Sequence, residues 1–432
     1  MLPKPDDCIG CPMYGDGLGY VPDKIPPGAK VLFLLQNPGK NEEEGRRVIG
    51  YEGPKQEITE ECPPQPLIGP TGYSFHKTFL PLTGVDRDEV GLANVLRCRM
   101  QIQKVLKPAS EAVPAYTDAD GIHHPEQPTI PAVIESERTN DMPKGETLRA
   151  ATEHCTRAYM HVPDSVRLIV AQGAHAWRAL GGPQPLDEWR GYLSPEPAHV
   201  SPEGLLTTAD DPEERSVPVL ATLHISDLNW RPKMDLPTRK DFLKVGHVLE
   251  GTWPWGWSRI NNANEISDET LFRWFEQAAM AEFLVIDTEY DRDTKALSLL
   301  GVAVPEENNP VPVMQLHWWR SFTSPGRRSL FVDLLMDLVG KMPTVFQNVL
   351  ADMPVLRRAC GLTWESFKHI EDTMQAHAVL WCELPHDLEF QASMDSRYPK
   401  TKHLYGVDME RYNAGDLMDT VCAWQARLDD FS

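Results

Sequence analysis

Four short apolar runs constrain the first half of this chain more than any other feature. They are AKVLFLLQ (29–36), GLANVL (91–96), RLIVAQG (167–173) and VPVLATLH (217–224). Short runs that stay apolar without alternating read as strands buried on both faces. Helical patterns over 71–82, 146–160 and 174–181 lie between them. Alternating strands and helices argue for a parallel sheet covered by helices. In such sheets reactive groups collect beyond the C-terminal strand ends. Gln36, Asn37, Asn94 and His224 fall there. An Asn amide offers both a donor and an acceptor, so it can read a base edge or place a water. The plain alternative for each is a loop or capping role. Residues 103–145 are rich in Pro and polar side chains and read as a long surface insertion.

The second half has a different pattern. EFLVIDTEY (282–290) is an apolar strand interrupted by two acids, and apolar runs over 297–304 and 311–317 follow it as a meander. Helical patterns cover 327–340, 352–360, 372–381 and 408–430, giving a mixed α/β layer. Asp287 and Glu289 are two apart on a strand, so they share a face. Paired carboxylates repel and are costly to bury without cations. A hard divalent ion such as Mg²⁺ or Mn²⁺ is the natural compensation; surface acids after a strand are the plain alternative. Asp352 opens a helix in FQNVLADMPVL, and Tyr412 and Asp416 are four apart on one helical face.

The chain carries 42 basic and 63 acidic side chains over 432 residues, a formal charge of −21. That argues against coating nucleic acid by bulk charge, but not against a nuclease built on carboxylates. No run is long and apolar enough to span a membrane, and MLPKPDDCIG lacks the apolar core of a leader. A reducing cytoplasm, bacterial or phage-infected, is therefore expected, and the eight cysteines are not expected to form disulfides. Cys8 and Cys11 form a CxxC that suits zinc, a redox pair or a cluster. GTWPWGWSR (251–259) reads as a packed hinge, with a base-stacking strip as the alternative. The expected division is 1–250, a hinge and lead-in helix over 251–279, and 280–432.

Taken together, Cys8-Ile-Gly-Cys11, LLQNPGKNEEEG (34–45), PLIGPTG (66–72), NVLRCR (94–99), EHC (153–155), VAQGAHAWRALGG (170–182) and LHIS (223–226) resemble the uracil-DNA glycosylase superfamily, nearest its iron–sulfur family 4. The resemblance covers roughly residues 5–248 and implies a parallel-sheet α/β/α domain. It implies that Cys8, Cys11, Cys98 and Cys155 hold a [4Fe–4S] cluster, although four thiolates also suit zinc. It gives Asn37 the place of a water-positioning Asn and Asn94 the uracil-edge contact. His224 takes the place of the histidine beside the leaving base, as imidazole or imidazolium. Gln36 stands where family 4 has Glu, Leu67 where it has the stacking Phe, and Ile225-Ser226 where it has Pro-Ala.

The acids of the second half, with FQNVLADMPVL and EDTMQAHAVLWCELPHDLEF (371–390), resemble the DEDDy 3′→5′ exonuclease domain of family A DNA polymerases over about residues 280–432. The resemblance implies a ribonuclease H-like mixed-sheet fold and two-metal phosphodiester hydrolysis. Asp287, Glu289, Asp352 and Asp416 would hold two Mg²⁺ or Mn²⁺, and Tyr412 would orient the water. Single-stranded DNA 3′ ends, uracil-containing DNA and a separately encoded DNA polymerase are the expected partners. The rival reading makes the glycosylase-like part a non-catalytic docking platform, with the exonuclease proofreading in trans.

Overall fold

The structure is a computed structural model that describes residues 2–15, 17–53, 56–107, 116–117, 123–124, 133–139, 145–207, 214–254, 256, 260–306, 311–319 and 323–431. The chain forms two compact units. The first takes Met1–Pro81, Val85–Gly182 and Pro197–Val217; the second takes Leu82–Gly84, Pro183–Glu196 and Pro218–Ser432.

At the centre of the first unit, β1 (Val31–Leu35) lies between β2 (Val90–Asn94) and β3 (Leu168–Gln172), parallel to both. All three strands are buried along their whole length, which is why their sequences do not alternate. β1 leads through Gln36–Gly39 into helix α1 (Lys40–Glu44). The expected helices at 146–160 and 174–181 appear as α2 (Gly145–Tyr159) and a shorter helix at Ala174–Ala179. The insertion is not simply irregular surface. Strand Cys98–Lys107 pairs antiparallel with Val133–Thr139 and with Gly17–Tyr20. Residues 108–115, 118–122, 125–132 and 140–144 of the insertion lie outside the described residues.

The second unit is built on a six-stranded mixed sheet. Its strands are β4 (Ile260–Asn262), β5 (Leu284–Tyr290), β6 (Leu297–Ala303), β7 (Val313–His317), β8 (Pro343–Phe346) and β9 (His369–Asp372), in the order β4-β7-β6-β5-β8-β9. The β5-β6-β7 meander is antiparallel, and the outer pairings are parallel. The two-residue period of β5 divides its side chains between two cores. Leu284 and Ile286 pack with Phe331 and Leu335 of α4 (Pro325–Val339) and with Met353 and Leu356 of α5 (Val349–Cys360). Phe283 and Val285 pack with Ala414, Leu417, Met418 and Val421 of the long helix α7 (Met409–Phe431). Gly301 on β6 lets α7 come close, since a Cβ there would lie 2.1 Å from Asn413 Oδ1.

The second unit also holds α3 (Asp235–Glu250) and α6 (Leu388–Asp395). Buried Arg190 donates to Asp241 Oδ1 at 2.7 Å and to the Ser393 hydroxyl. Thr222 Oγ1 donates to the second Asp241 oxygen at 2.8 Å. Lys244 Nζ donates to the carbonyls of Gly191 and Ser393 at 2.7 and 2.9 Å. Trp253, from the strip read as a packed hinge, lies within the second unit, where it is buried and donates through Nε1 to Ser396 O at 3.0 Å. Trp255 and Trp257 lie outside the described residues. No helix among the described residues is long and apolar enough to cross a membrane.

Candidate functional site

The alternation of β5 decides which acids meet. Asp287 and Glu289 share the parity of Val285, whose face packs against α7, and Asp416 lies on that helix. The ligand oxygens of Asp287, Glu289 and Asp416 all lie within 4.8 Å of one another. Asp352 enters from α5 on the other face of β5, where its carboxylate accepts from the Thr288 hydroxyl. The expected quartet is thus a close trio plus a fourth acid anchored through the residue between the first two.

Tyr412 and Asp416 share one face of α7, and Lys402 joins them. Its ammonium donates to the Tyr412 hydroxyl at 2.8 Å and to both Asp416 oxygens at 3.0 and 3.2 Å. Asn413 Nδ2 donates to Asp287 Oδ2 at 2.6 Å, and Gln315 Nε2 in turn holds Asn413 Oδ1 at 2.8 Å. Thr288, Lys402, Asn413 and Gln315 were missed from the sequence. Only Thr288 had a local signal, being bracketed by the two acids.

The electrostatics are those of a cation site. Burial raises the pKa of Asp287 well above the usual carboxylate value, and Glu289, Asp352 and Asp416 push the same way. Burial carries Glu289 up to about 7, assisted by Asp416. Asp352 also rises to about 7, chiefly through burial. Burial opposes the charge on Lys402, but Asp416 and Tyr412 more than offset this and hold its pKa above the usual value. One ammonium among four acids leaves a net negative pocket that a divalent cation would neutralise.

In the first unit, Cys8, Cys11, Cys98 and Cys155 line one small cavity with Lys4, Met13, Tyr14, Tyr20 and Arg97. Arg97 closes its inner side. It pairs with Asp23 at 2.5 Å and donates to the Cys155 carbonyl at 3.1 Å. The hydrogen bond from Cys155 lowers the Cys11 thiol to about 6, whereas burial lifts Cys98 to about 11. The donor set is four thiols, brought together from three distant stretches of chain. Cys11 and Cys155 are close enough to share that hydrogen bond.

The strand ends of the first unit carry buried amides. Asn94 is 1% exposed, and its Nδ2 has no hydrogen-bond partner; the same holds for Asn37 Nδ2. Gln172, at the end of β3, is fully buried with neither side-chain polar atom partnered. Sequence reasoning passed it over, although it closes one of the four apolar runs. Unpaired buried amides are uncommon and mark places where a ligand or water supplies the partner. Gln36 sits in the same turn as Asn37.

Leu67 is buried and held at φ 54°, a left-handed conformation. Its N–H donates to Glu42 Oε1 at 2.5 Å, while Glu42 Oε2 accepts from Gly39 N at 2.6 Å. One buried carboxylate therefore ties the loop after β1 to the loop at 66–68. His224 belongs to the second unit. Its Nδ1 accepts from Ser226 N at 3.3 Å and lies 2.6 Å from Ser226 Oγ. Burial lowers its pKa to about 4, so it is neutral with the proton on Nε2.

A family model described as the uracil DNA glycosylase superfamily matches residues 22–245. No curated protein matches the chain. Among solved structures, Brucella melitensis NrnC is similar at 14% identity and a TM-score of 0.29, over 40% of this chain and 81% of its own. The Aedes aegypti Nibbler EXO domain is similar at 10% identity and a TM-score of 0.29, over 40% of this chain and 90% of its own. Escherichia coli RNase D is similar at 12% identity and a TM-score of 0.27, over 40% of this chain and 44% of its own. At these scores the structural likenesses carry no functional weight.

Proposed function

The chain belongs to the uracil DNA glycosylase superfamily, and from that premise we propose a DNA-processing protein that joins a glycosylase-like domain, residues 1–250, to a metal-dependent 3′→5′ exonuclease, residues 280–432. The observation that carries the exonuclease is the convergence of Asp287, Glu289 and Asp416 within 4.8 Å, with Asp352 anchored at Thr288. These side chains are hard oxygen donors and would hold two Mg²⁺ or Mn²⁺ ions. When bound, such ions activate a water and stabilise the leaving 3′ oxygen. Asn413 fixes the Asp287 carboxylate, and Lys402 fixes the Tyr412 phenol that would orient the water. The substrate is the 3′ end of single-stranded DNA. A Mg²⁺-dependent release of nucleotides that disappears in Asp287→Ala/Glu289→Ala tests this reading.

The four cysteines line one cavity and would hold a [4Fe–4S] cluster; four thiolates also suit zinc. A brown, iron-containing protein is expected; a colourless, zinc-containing one would contradict the assignment.

In the glycosylase-like domain the unpartnered amides of Asn37 and Asn94 are suited to a base edge. Leu67 cannot stack on a flipped base as an aromatic ring would, which favours the second reading. In that reading the domain binds DNA or docks a separately encoded polymerase, and the exonuclease proofreads in trans. A uracil-containing oligonucleotide without divalent metal separates the two: base loss that depends on Asn37 establishes excision, and none leaves the binding role.

A further inference from the structure

Beside the carboxylate centre, and wholly inside the second unit, lies a cavity of about 380 Å³ lined by Trp189, Trp253, Lys400, His403 and Arg411, with Ser194 on its wall. That volume falls in the ~300–1,000 Å³ range of small-molecule sites. Two pairs of chain neighbours connect it to the centre. Lys402 faces Asp416 while His403 faces the cavity, and Tyr412 holds Lys402 while Arg411 lines the cavity. His403 lies against Trp189 with ring centroids 6.2 Å apart and planes tilted by 32°.

Lys400 is the structural cation of the cavity. It is tied to Glu389 and the Glu188 carbonyl, and its ammonium sits 5.2 Å from the centre of the Trp189 ring. Arg411 is exposed at the rim, 3.5 Å from Asp408. The hydroxyl of Ser194 is buried and has no hydrogen-bond partner. Indole walls, a rim guanidinium and an unspent hydroxyl suit a base and its phosphate. They suit an apolar peptide poorly, since it would leave the buried Ser194 hydroxyl without a partner.

We propose that this cavity binds one nucleotide of the single-stranded substrate, its base against the indoles of Trp189 and Trp253 and its phosphate at Arg411. The proposal rests on the exonuclease reading for its substrate. The Trp of the linker strip is then both packed and part of a nucleotide site.

The test is fluorescence anisotropy of a 5′-labelled oligothymidylate with the full chain in EDTA, where nothing is cleaved. Wild type is compared with Arg411→Ala and with Ser194→Trp, which fills the cavity. Each variant is expected to weaken binding about tenfold, with an unchanged melting profile for Arg411→Ala. Hydrolysis of thymidine 5′-p-nitrophenyl phosphate by wild type with Mg²⁺ checks the exonuclease reading separately. Wild-type oligonucleotide affinity in both variants would overturn the proposal. Competition by dTMP at concentrations comparable to the oligonucleotide assigns the cavity to a free nucleotide as well; its absence assigns it to the strand alone. If the variants weaken binding but wild type cleaves neither substrate, the cavity stands and the exonuclease reading falls. If cleavage is normal and binding is indifferent to both variants, the reverse holds.

Discussion

Glu42 shows how much one side chain can decide. Its carboxylate is buried, accepts from Gly39 and Leu67, and is pushed up to about 7 by burial. Glu42→Ala leaves those N–H groups unpaired at about 1–3 kcal/mol each. A loss of about 2–4 kcal/mol in urea unfolding is expected, and one below ~1 kcal/mol would show that the loops hold themselves. The acids of the carboxylate centre give a pH prediction. Glu289 and Asp352 titrate near 7 in the folded protein, above their unfolded values near ~4. The folded state therefore binds more protons across about pH 4–7, and metal-free stability falls as pH rises through that window. Mg²⁺ must displace those protons, so its affinity should rise from pH 6 to pH 8. Calorimetric titration in two buffers of different ionisation heat checks this, since protons should be released at pH 6.5. Asp287, Glu289 and Asp416 were legible in the sequence because strand parity and helical spacing are local rules. Lys402 and Asn413 were not, because their roles depend on where α7 and the 399–405 stretch lie in space.

At the scale of elements, β5 organises the second unit. It separates two cores and sends Asp287 and Glu289 toward α7 and Thr288 toward α5. The approach of α7 depends on Gly301, where a Cβ would meet Asn413 Oδ1 at 2.1 Å and Leu417 Cδ1 at 2.6 Å. Gly301→Ala should therefore cost about 1–3 kcal/mol by overpacking and weaken Mg²⁺ binding, because Asn413 positions Asp287. Thermal melting with and without Mg²⁺ reads both effects; a variant that melts and binds like wild type would place the tight fit elsewhere. The strands β1, β2 and β3 and the β5-β6-β7 meander were legible as apolar runs, whereas β4, β8 and β9 were not, being only three or four residues long. The antiparallel pairing of Cys98–Lys107 with Val133–Thr139 was not, because those polar segments carry little of the apolar periodicity that marks a strand.

At the scale of the molecule, the second unit extends beyond the residues that resemble an exonuclease. It draws in 183–196 and 218–250, and the Arg190–Asp241–Ser393 network joins those stretches to α6. Gly191, at φ 77°, permits the contact, since a Cβ would lie 2.1 Å from Ser393 O. Removing one partner of a buried ion pair costs about 3–5 kcal/mol. Arg190→Ala is thus expected to destabilise the second unit, and a fragment of residues 251–432 should be insoluble or molten. A well-folded fragment with cooperative melting would contradict this. The sequence divides the chain at a motif boundary near 250, whereas packing divides it by which side chains are buried together, and no local pattern announces a contact between residues 190 and 393. The proposed role of Asp287, Glu289 and Asp416 is a metal centre that trims DNA from its 3′ end. It is tested with single-stranded DNA labelled at either end, incubated with Mg²⁺ and the full chain. Immediate release of the 3′ label as mononucleotide and a 5′-labelled ladder that shortens stepwise are expected, and neither in Asp287→Ala/Glu289→Ala. A wild-type protein that leaves both labels intact, or a double variant that trims at the wild-type rate, would contradict it.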